Sequence, residues 1–248
     1  MKKLLLLFAM AALMSACVKQ TEPPKQIRFS ILGDSYSTFK GYVHPETNDV
    51  YPFDSIGVTN VEQMWWHKVA VEKGWILDVN NSFSGSLVCN YNYAYYYGPH
   101  SFLHRMDDLG QPDVIFIFGA TNDACAHDGD NVPVVPLGND VFSDWTEDQL
   151  CTFRPALSYL FDNLQQRYPN AELYFLLDMN LGSNGIDADR RDAFIGSIHR
   201  IANHYNVKCI DLEGIKKSHW HPNAEGHGII AKQVLDFLET EAIYCLNR

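Results

Sequence analysis

Positive charge is scarce in this chain: 19 Lys plus Arg stand against 30 Asp plus Glu, a net charge of −11 over 248 residues. That balance repels a phosphate backbone, and no local basic patch offsets it, so nucleic acid is excluded as a partner. Six cysteines include no C-x-x-C pair and no zinc-ribbon spacing. No apolar run is long enough to span a bilayer, which excludes multi-span membrane classes. Internal repeats, low-complexity tracts and a second-domain boundary are also lacking. What is present, 46% hydrophobic and 20% charged residues, describes one soluble folded domain.

The N-terminus stands apart from that domain. Met1-Lys2-Lys3 precedes the apolar run Leu4 to Leu13 and then Met14-Ser15-Ala16-Cys17, the order of a secretory signal peptide over residues 1–16. Ser15 and Ala16 before Cys17 resemble a bacterial lipobox, with Met14 where Leu, Val or Ile is usual. The resemblance implies a lipidated Cys17, a polar tether over 17–25, and a single domain over 26–248. Ordinary cleavage with export is the alternative. Either way the expectation is an exported protein of the bacterial outer membrane or periplasm, touching membrane only through a lipid anchor. The remaining Cys89, Cys125, Cys151, Cys209 and Cys245 cannot all pair, and a domain of this size does not need staples, so buried free thiols are expected for most.

Apolar runs ending in Gly, Asp or Asn alternate with helical patterns. Strands are predicted at Gln26–Leu32, Ile76–Val79, Val114–Phe118, Leu173–Leu177 and Val207–Ile210. The near-continuous Val, Ile, Leu and Phe of the third and fourth imply burial on both faces, as in a parallel sheet covered by helices. The fold class is α/β. Phe194, Ile198, Ile201, Ala202 and Tyr205 recur at helical spacing, as do Ile230, Val234, Phe237 and Leu238. Leu157, Leu160, Phe161 and Leu164 mark another helix with Pro155 in its first turn, so any helix near Thr146 should be a separate short piece. Trp65 and Trp66, adjacent on a helix, point to different faces, and at least one should join the core. Thr38–Asn60 and Ala126–Ser143 are long connections leaving carboxyl ends of strands, where open α/β sheets bind ligands.

Four short segments carry the chemistry. They are Gly33-Asp34-Ser35 after the first strand, Asn81-Ser82-Phe83-Ser84-Gly85 after the second, Gly119-Ala120-Thr121-Asn122-Asp123 after the third, and Ser218-His219-Trp220-His221-Pro222 before the last helix. Together they resemble the SGNH, or GDSL, hydrolases. The resemblance implies a three-layer sandwich around a five-stranded parallel sheet, flavodoxin-like in topology. It makes Ser35 the nucleophile, His221 the general base, and the Ser35 N–H, Gly85 N–H and Asn122 amide the oxyanion donors. A glycine at 85 leaves the amide open to an approaching oxygen. Asp34 would fix the turn rather than act as acid or base.

Two departures matter. Ala120 stands where the family usually has Gly, and Ser218 stands where it has the triad Asp. A serine supplies no negative charge to an imidazolium. Ser218 itself, a main-chain carbonyl, Asp211 or Glu213 could orient His221 instead, and a Ser-His dyad held by a carbonyl is the preferred expectation.

The implied function is a serine esterase removing acetyl or other short acyl groups from a carbohydrate or related ester, with no cofactor and no metal. The alternative is a glycan-binding surface lipoprotein with little catalysis. A flavodoxin-like cofactor protein is disfavoured, because the loop after the first strand lacks a phosphate-cradling pattern. His219 and His221 form an H-x-H without a third ligand spaced nearby. Asp128-Gly129-Asp130-Asn131 lacks the full calcium-loop pattern and reads as a turn. Tyr91, Tyr93, Tyr95, Tyr96 and Tyr97 read as loop packing before they read as a sugar platform.

Overall fold

The computed structural model describes residues 25–43, 49–91, 100–125, 134–182 and 186–246. The leader and Cys17, the tyrosines from 93 to 97, Asp128–Asn131 and the Cys245 side chain lie outside the described residues.

Five strands form one parallel sheet: β1 (Arg28–Gly33), β2 (Ile76–Ser82), β3 (Val114–Phe118), β4 (Glu172–Asp178) and β5 (Lys208–Leu212), in the order β2-β1-β3-β4-β5. The pleat sorts their side chains to two cores. Ile115, Ile117, Leu173, Phe175 and Leu177 join the core under α5 (Phe153–Arg167) and α6 (Ala188–His204). Phe116, Phe118, Tyr174, Leu176, Ile210 and Leu212 face the other way, toward α1 (Trp65–Lys73) and α7 (Ala224–Leu246). Both faces are covered, which is why β3 and β4 are apolar at nearly every position.

Three short α-helices lie between these elements: α2 (Phe102–Arg105), α3 (Thr121–Ala124) and α4 (Glu147–Leu150). The last is the separate piece expected near Thr146, closed by a Thr146–Gln149 capping box. Pro155 falls in the first turn of α5, where its missing N–H costs no helix bond.

Several expectations need correction. Strand β2 runs to Ser82, so Asn81 and Ser82 are its last rungs rather than a loop, paired in register with Leu32 and Gly33. Thr121 and Asn122 open α3. The expectation that at least one of Trp65 and Trp66 joins the core is met by both, because each indole N–H finds a partner at one turn: Trp65 Nε1 donates to Ser37 Oγ (3.2 Å) and Trp66 Nε1 to the Ser37 carbonyl (3.1 Å). Of the four described thiols, all free, Cys89 alone is fully buried; Cys125, Cys151 and Cys209 are part-buried.

The strand order places a topological switch between β1 and β3, where the chain leaves to opposite sides of the sheet. Ligands of open α/β sheets bind in that crevice, at the carboxyl ends.

Candidate active site

The turn after β1 is built tightly. A Cβ on Gly33 would meet Ser82 Oγ at 2.5 Å, so only glycine lets β1 end against β2 here. Asp34 then caps a 3₁₀ turn over Ser35–Ser37, its carboxylate accepting from the Tyr36 N–H at 3.0 Å. Burial pushes the Asp34 carboxyl up to about 7. The hydroxyl of Thr38 donates to the Ser35 carbonyl (3.1 Å) and Asn80 Nδ2 to the Ser37 carbonyl (2.9 Å). Ser35 is thereby held on a turn whose neighbouring N–H groups and whose own carbonyl are hydrogen-bonded.

Gly85 follows β2 with a φ of 78°, the left-handed region that suits glycine. Asn122 Nδ2 donates to the neighbouring Ser86 carbonyl at 2.9 Å. That bond uses one amide hydrogen and leaves the second to serve a ligand. Asp123, completely buried, accepts from the Val88 and Cys89 N–H groups, and burial raises its carboxyl to about 6. Ala120 takes a φ of 73°, so the position that the family fills with Gly retains a glycine-like backbone although it carries a methyl group.

Arg105, at the end of α2, binds these turns together. Its Nη2 donates to the Gly33 carbonyl (3.1 Å) and to Ser86 Oγ (2.9 Å), its Nε to the His100 carbonyl (2.7 Å), and its Nη1 to the Asn81 carbonyl. The guanidinium is buried with no carboxylate bonded to it among the described residues, and burial lowers its pKa to about 9 against the pull of Asp34. Nothing in the local sequence marked this residue, since a lone Arg on a short helix normally faces solvent.

His221 sits on a two-stranded antiparallel hairpin, β6 (Lys217–Ser218) with β7 (His221–Pro222). The two loop residues, His219 and Trp220, have φ of 48° and 68°. Positive φ at both loop positions is the geometry of the tight type I′ turn, and it costs a non-glycine residue about 1 kcal/mol or more. Two buried tyrosines hold the turn in place: Tyr36 Oη donates to the Trp220 carbonyl (3.1 Å) and Tyr51 Oη to the Pro222 carbonyl (2.7 Å).

This turn brings the His219 carbonyl oxygen to 2.9 Å from His221 Nδ1. A carbonyl only accepts, so Nδ1 carries the proton and Nε2 keeps the lone pair. Burial lowers the His221 pKa, with Lys217 and His219 adding to the effect against the raising influence of the carbonyl. Lys217 is itself paired with Asp178 at 2.5 Å, both side chains nearly buried.

Neither acid weighed as a partner for His221 serves it. Asp211 lies 2.8 Å from His199 Nε2 instead, because β5 turns its side chain toward α6. Glu213 is exposed, and its backbone N–H donates to Gln233. Ser218 is the ladder partner of His221, while the Nδ1 hydrogen bond goes to His219.

Ser35, Gly85, Asn122 and His221 line one cavity of about 230 Å³, together with Tyr36, Ser84, Thr121, Cys125, Gly182 and Trp220. The set offers a hydroxyl, a neutral imidazole, a side-chain amide and a glycine backbone around one space. The GDSL-like lipase/acylhydrolase family model matches residues 27–238. The chain belongs to this family. Its reaction class is therefore hydrolysis of a carboxylic ester.

Solved structures agree with the GDSL assignment. A Bacteroides ovatus protein described as a GDSL-like lipase is 44% identical over 87% of this chain and 99% of its own, with a TM-score of 0.75. A Bacteroides uniformis protein of the same description is 36% identical over 88% and 97%, at 0.76. An acetyl xylan esterase from the rumen bacterium Butyrivibrio proteoclasticus shares the fold at 18% identity, covering 89% of this chain and 65% of that one, at 0.56. None of the curated proteins compared matches the chain.

Proposed function

We propose that this GDSL hydrolase removes short acyl groups from a carbohydrate or related ester through a Ser35–His221 dyad. The observation that carries the reading is the hydrogen bond from His221 Nδ1–H to the His219 carbonyl, which leaves Nε2 as a base in the cavity that Ser35 lines. The Ser35 hydroxyl attacks the acyl carbon as its proton passes to Nε2. The tetrahedral oxyanion is received by the Ser35 N–H, the Gly85 N–H and the second Asn122 amide hydrogen. Collapse breaks the ester bond, and Nε2 returns the proton to the leaving alcohol. Water then attacks the acyl-serine, gives its proton to Nε2, and the carboxylic acid departs as Ser35 recovers its hydrogen.

Cavity size supports a short acyl group. About 230 Å³ falls below the roughly 300–1,000 Å³ of pockets that enclose drug-sized ligands. A second depression adjoins it, sharing Trp220 and His221 and lined also by Asp49, Val50, Pro52, Phe53 and His219. Trp220 is 64% and Phe53 46% exposed, and flat aromatic faces at such a rim suit a sugar ring as the leaving alcohol. Export as a lipoprotein through Cys17 belongs to the same reading and would put the enzyme where polysaccharide esters are met.

The test is hydrolysis of p-nitrophenyl acetate against longer acyl esters, with fluorophosphonate labelling alongside. Labelling of Ser35 that disappears in His221→Ala supports the dyad. Glycan binding without labelling or turnover would favour the binding-protein reading instead.

A further inference from the structure

Outside the catalytic cavity, the edge strand β5 and helix α6 bring three donor groups together. Cys209 and Asp211 are two residues apart on β5, so their side chains leave the same face of the strand. The intervening Ile210 points to the opposite core. His199 comes from α6, with its Nε2 2.8 Å from Asp211 Oδ1, and Cys209 Sγ lies 3.7 Å from the same oxygen. The three donor atoms all fall within 4.8 Å of one another.

We propose that His199, Cys209 and Asp211 form a binding site for a divalent thiophilic metal ion, zinc in particular, with the fourth position open to water. An imidazole nitrogen, a sulfur and a carboxylate oxygen are zinc donors, whereas calcium and magnesium select oxygen alone. Zinc bonds of about 2.0–2.3 Å in a tetrahedron set donor atoms roughly 3.3–3.7 Å apart. The sulfur–oxygen gap already matches that spacing. The histidine–aspartate gap needs to open by roughly half an ångström, exchanging their hydrogen bond for two metal bonds.

Placement favours binding further. The ligands stand on a strand and a helix, so ordering them costs little on binding. His199 and Cys209 are part-buried and Asp211 is exposed, which leaves a side of the cluster to solvent for entry and for a water ligand. Cys209 and Asp211 also border an open groove, through which an ion can reach them. Binding releases the thiol proton to solvent, since the thiolate is the ligand. The bound ion would clip the exposed edge of the sheet to α6, away from Ser35 and His221.

Cobalt(II) titrated into the full chain tests this directly. The expected result is a thiolate-to-cobalt charge-transfer band that saturates at one equivalent, is lost in Cys209→Ser, and needs about tenfold or more cobalt in His199→Gln. Zinc should displace the cobalt and raise the melting temperature of the wild type but not of Cys209→Ser. No band, or one unchanged in Cys209→Ser, would overturn the proposal, the latter by assigning the ion to another thiol. His199→Gln alters a part-buried side chain, so it keeps the question readable if the serine variant folds poorly. Wild-type cobalt affinity in that variant would equally overturn it.

Discussion

The Nδ1 atom of His221 lies 2.9 Å from the main-chain oxygen of His219, two residues back along the same hairpin. An imidazole held by a carbonyl has a fixed tautomer and ring orientation but no counter-charge for the imidazolium that forms during attack. The proposed dyad therefore relies on the hairpin. Ser35→Ala and His221→Ala should each lower kcat by about 10³-fold or more, measured with p-nitrophenyl acetate. Glu213→Gln should leave kcat within about twofold, because that side chain is exposed at the surface. A loss of orders of magnitude in Glu213→Gln would restore a carboxylate to the mechanism.

The pH profile follows from the same residue. Burial lowers the His221 pKa from its ordinary 6.5, so the neutral base persists to lower pH. The value of kcat/KM should stay level near neutrality and fall only as pH drops through that lowered pKa, below 6.5. Lys217 contributes to the lowering. Lys217→Met removes a positive charge and leaves Asp178 unpaired, and both changes favour the imidazolium. The acid limb should then move to higher pH, and an unmoved limb would mean that Lys217 acts only on stability. Breaking so buried a pair should also cost about 3–5 kcal/mol in a denaturant titration.

Much of this site was legible because its parts are local. Three of the four segments close an apolar strand, follow one or precede a helix, and a buried parallel strand announces itself by having no polar face; the second overlaps β2, whose polar residues hid its end. What could not be read depends on distant partners. The left-handed turn at His219 and Trp220 has neither Gly, Asn nor Asp to signal it, and it is held by Tyr36 and Tyr51 from far earlier in the chain. Asp211 was a reasonable partner for a histidine by its position after the last strand. The pleat sends it to the opposite face, where a different histidine meets it.

Arg105 belongs with these illegible contacts, and its effect on rate can be isolated. It ties the Gly33 carbonyl to Ser86 Oγ, and the Ser86 carbonyl in turn fixes the Asn122 amide. Arg105→Lys keeps the charge but cannot fork to these acceptors. The expected outcome is a fall in kcat of about 10²-fold, the size of losing an oxyanion donor, with KM nearly unchanged. Equal kcat in folded Arg105→Lys would reduce the residue to a packing role.

Trp220 offers the sharpest test of substrate class. It lies at the boundary of the two depressions, with 64% of its surface exposed. Its carbonyl anchors the hairpin through Tyr36, and that contact is main-chain, so replacing the side chain spares it. Trp220→Ala should therefore leave turnover of ethyl acetate within about twofold, as its small leaving alcohol does not reach the sugar side. Against an acetylated oligosaccharide KM should rise by about two- to twelvefold, the equivalent of losing roughly 0.5–1.5 kcal/mol of ring contact. Kinetics on the two substrates in parallel make the comparison. A rise in KM common to both would place the indole against the acyl group, and no rise in either would remove the sugar platform from the reading.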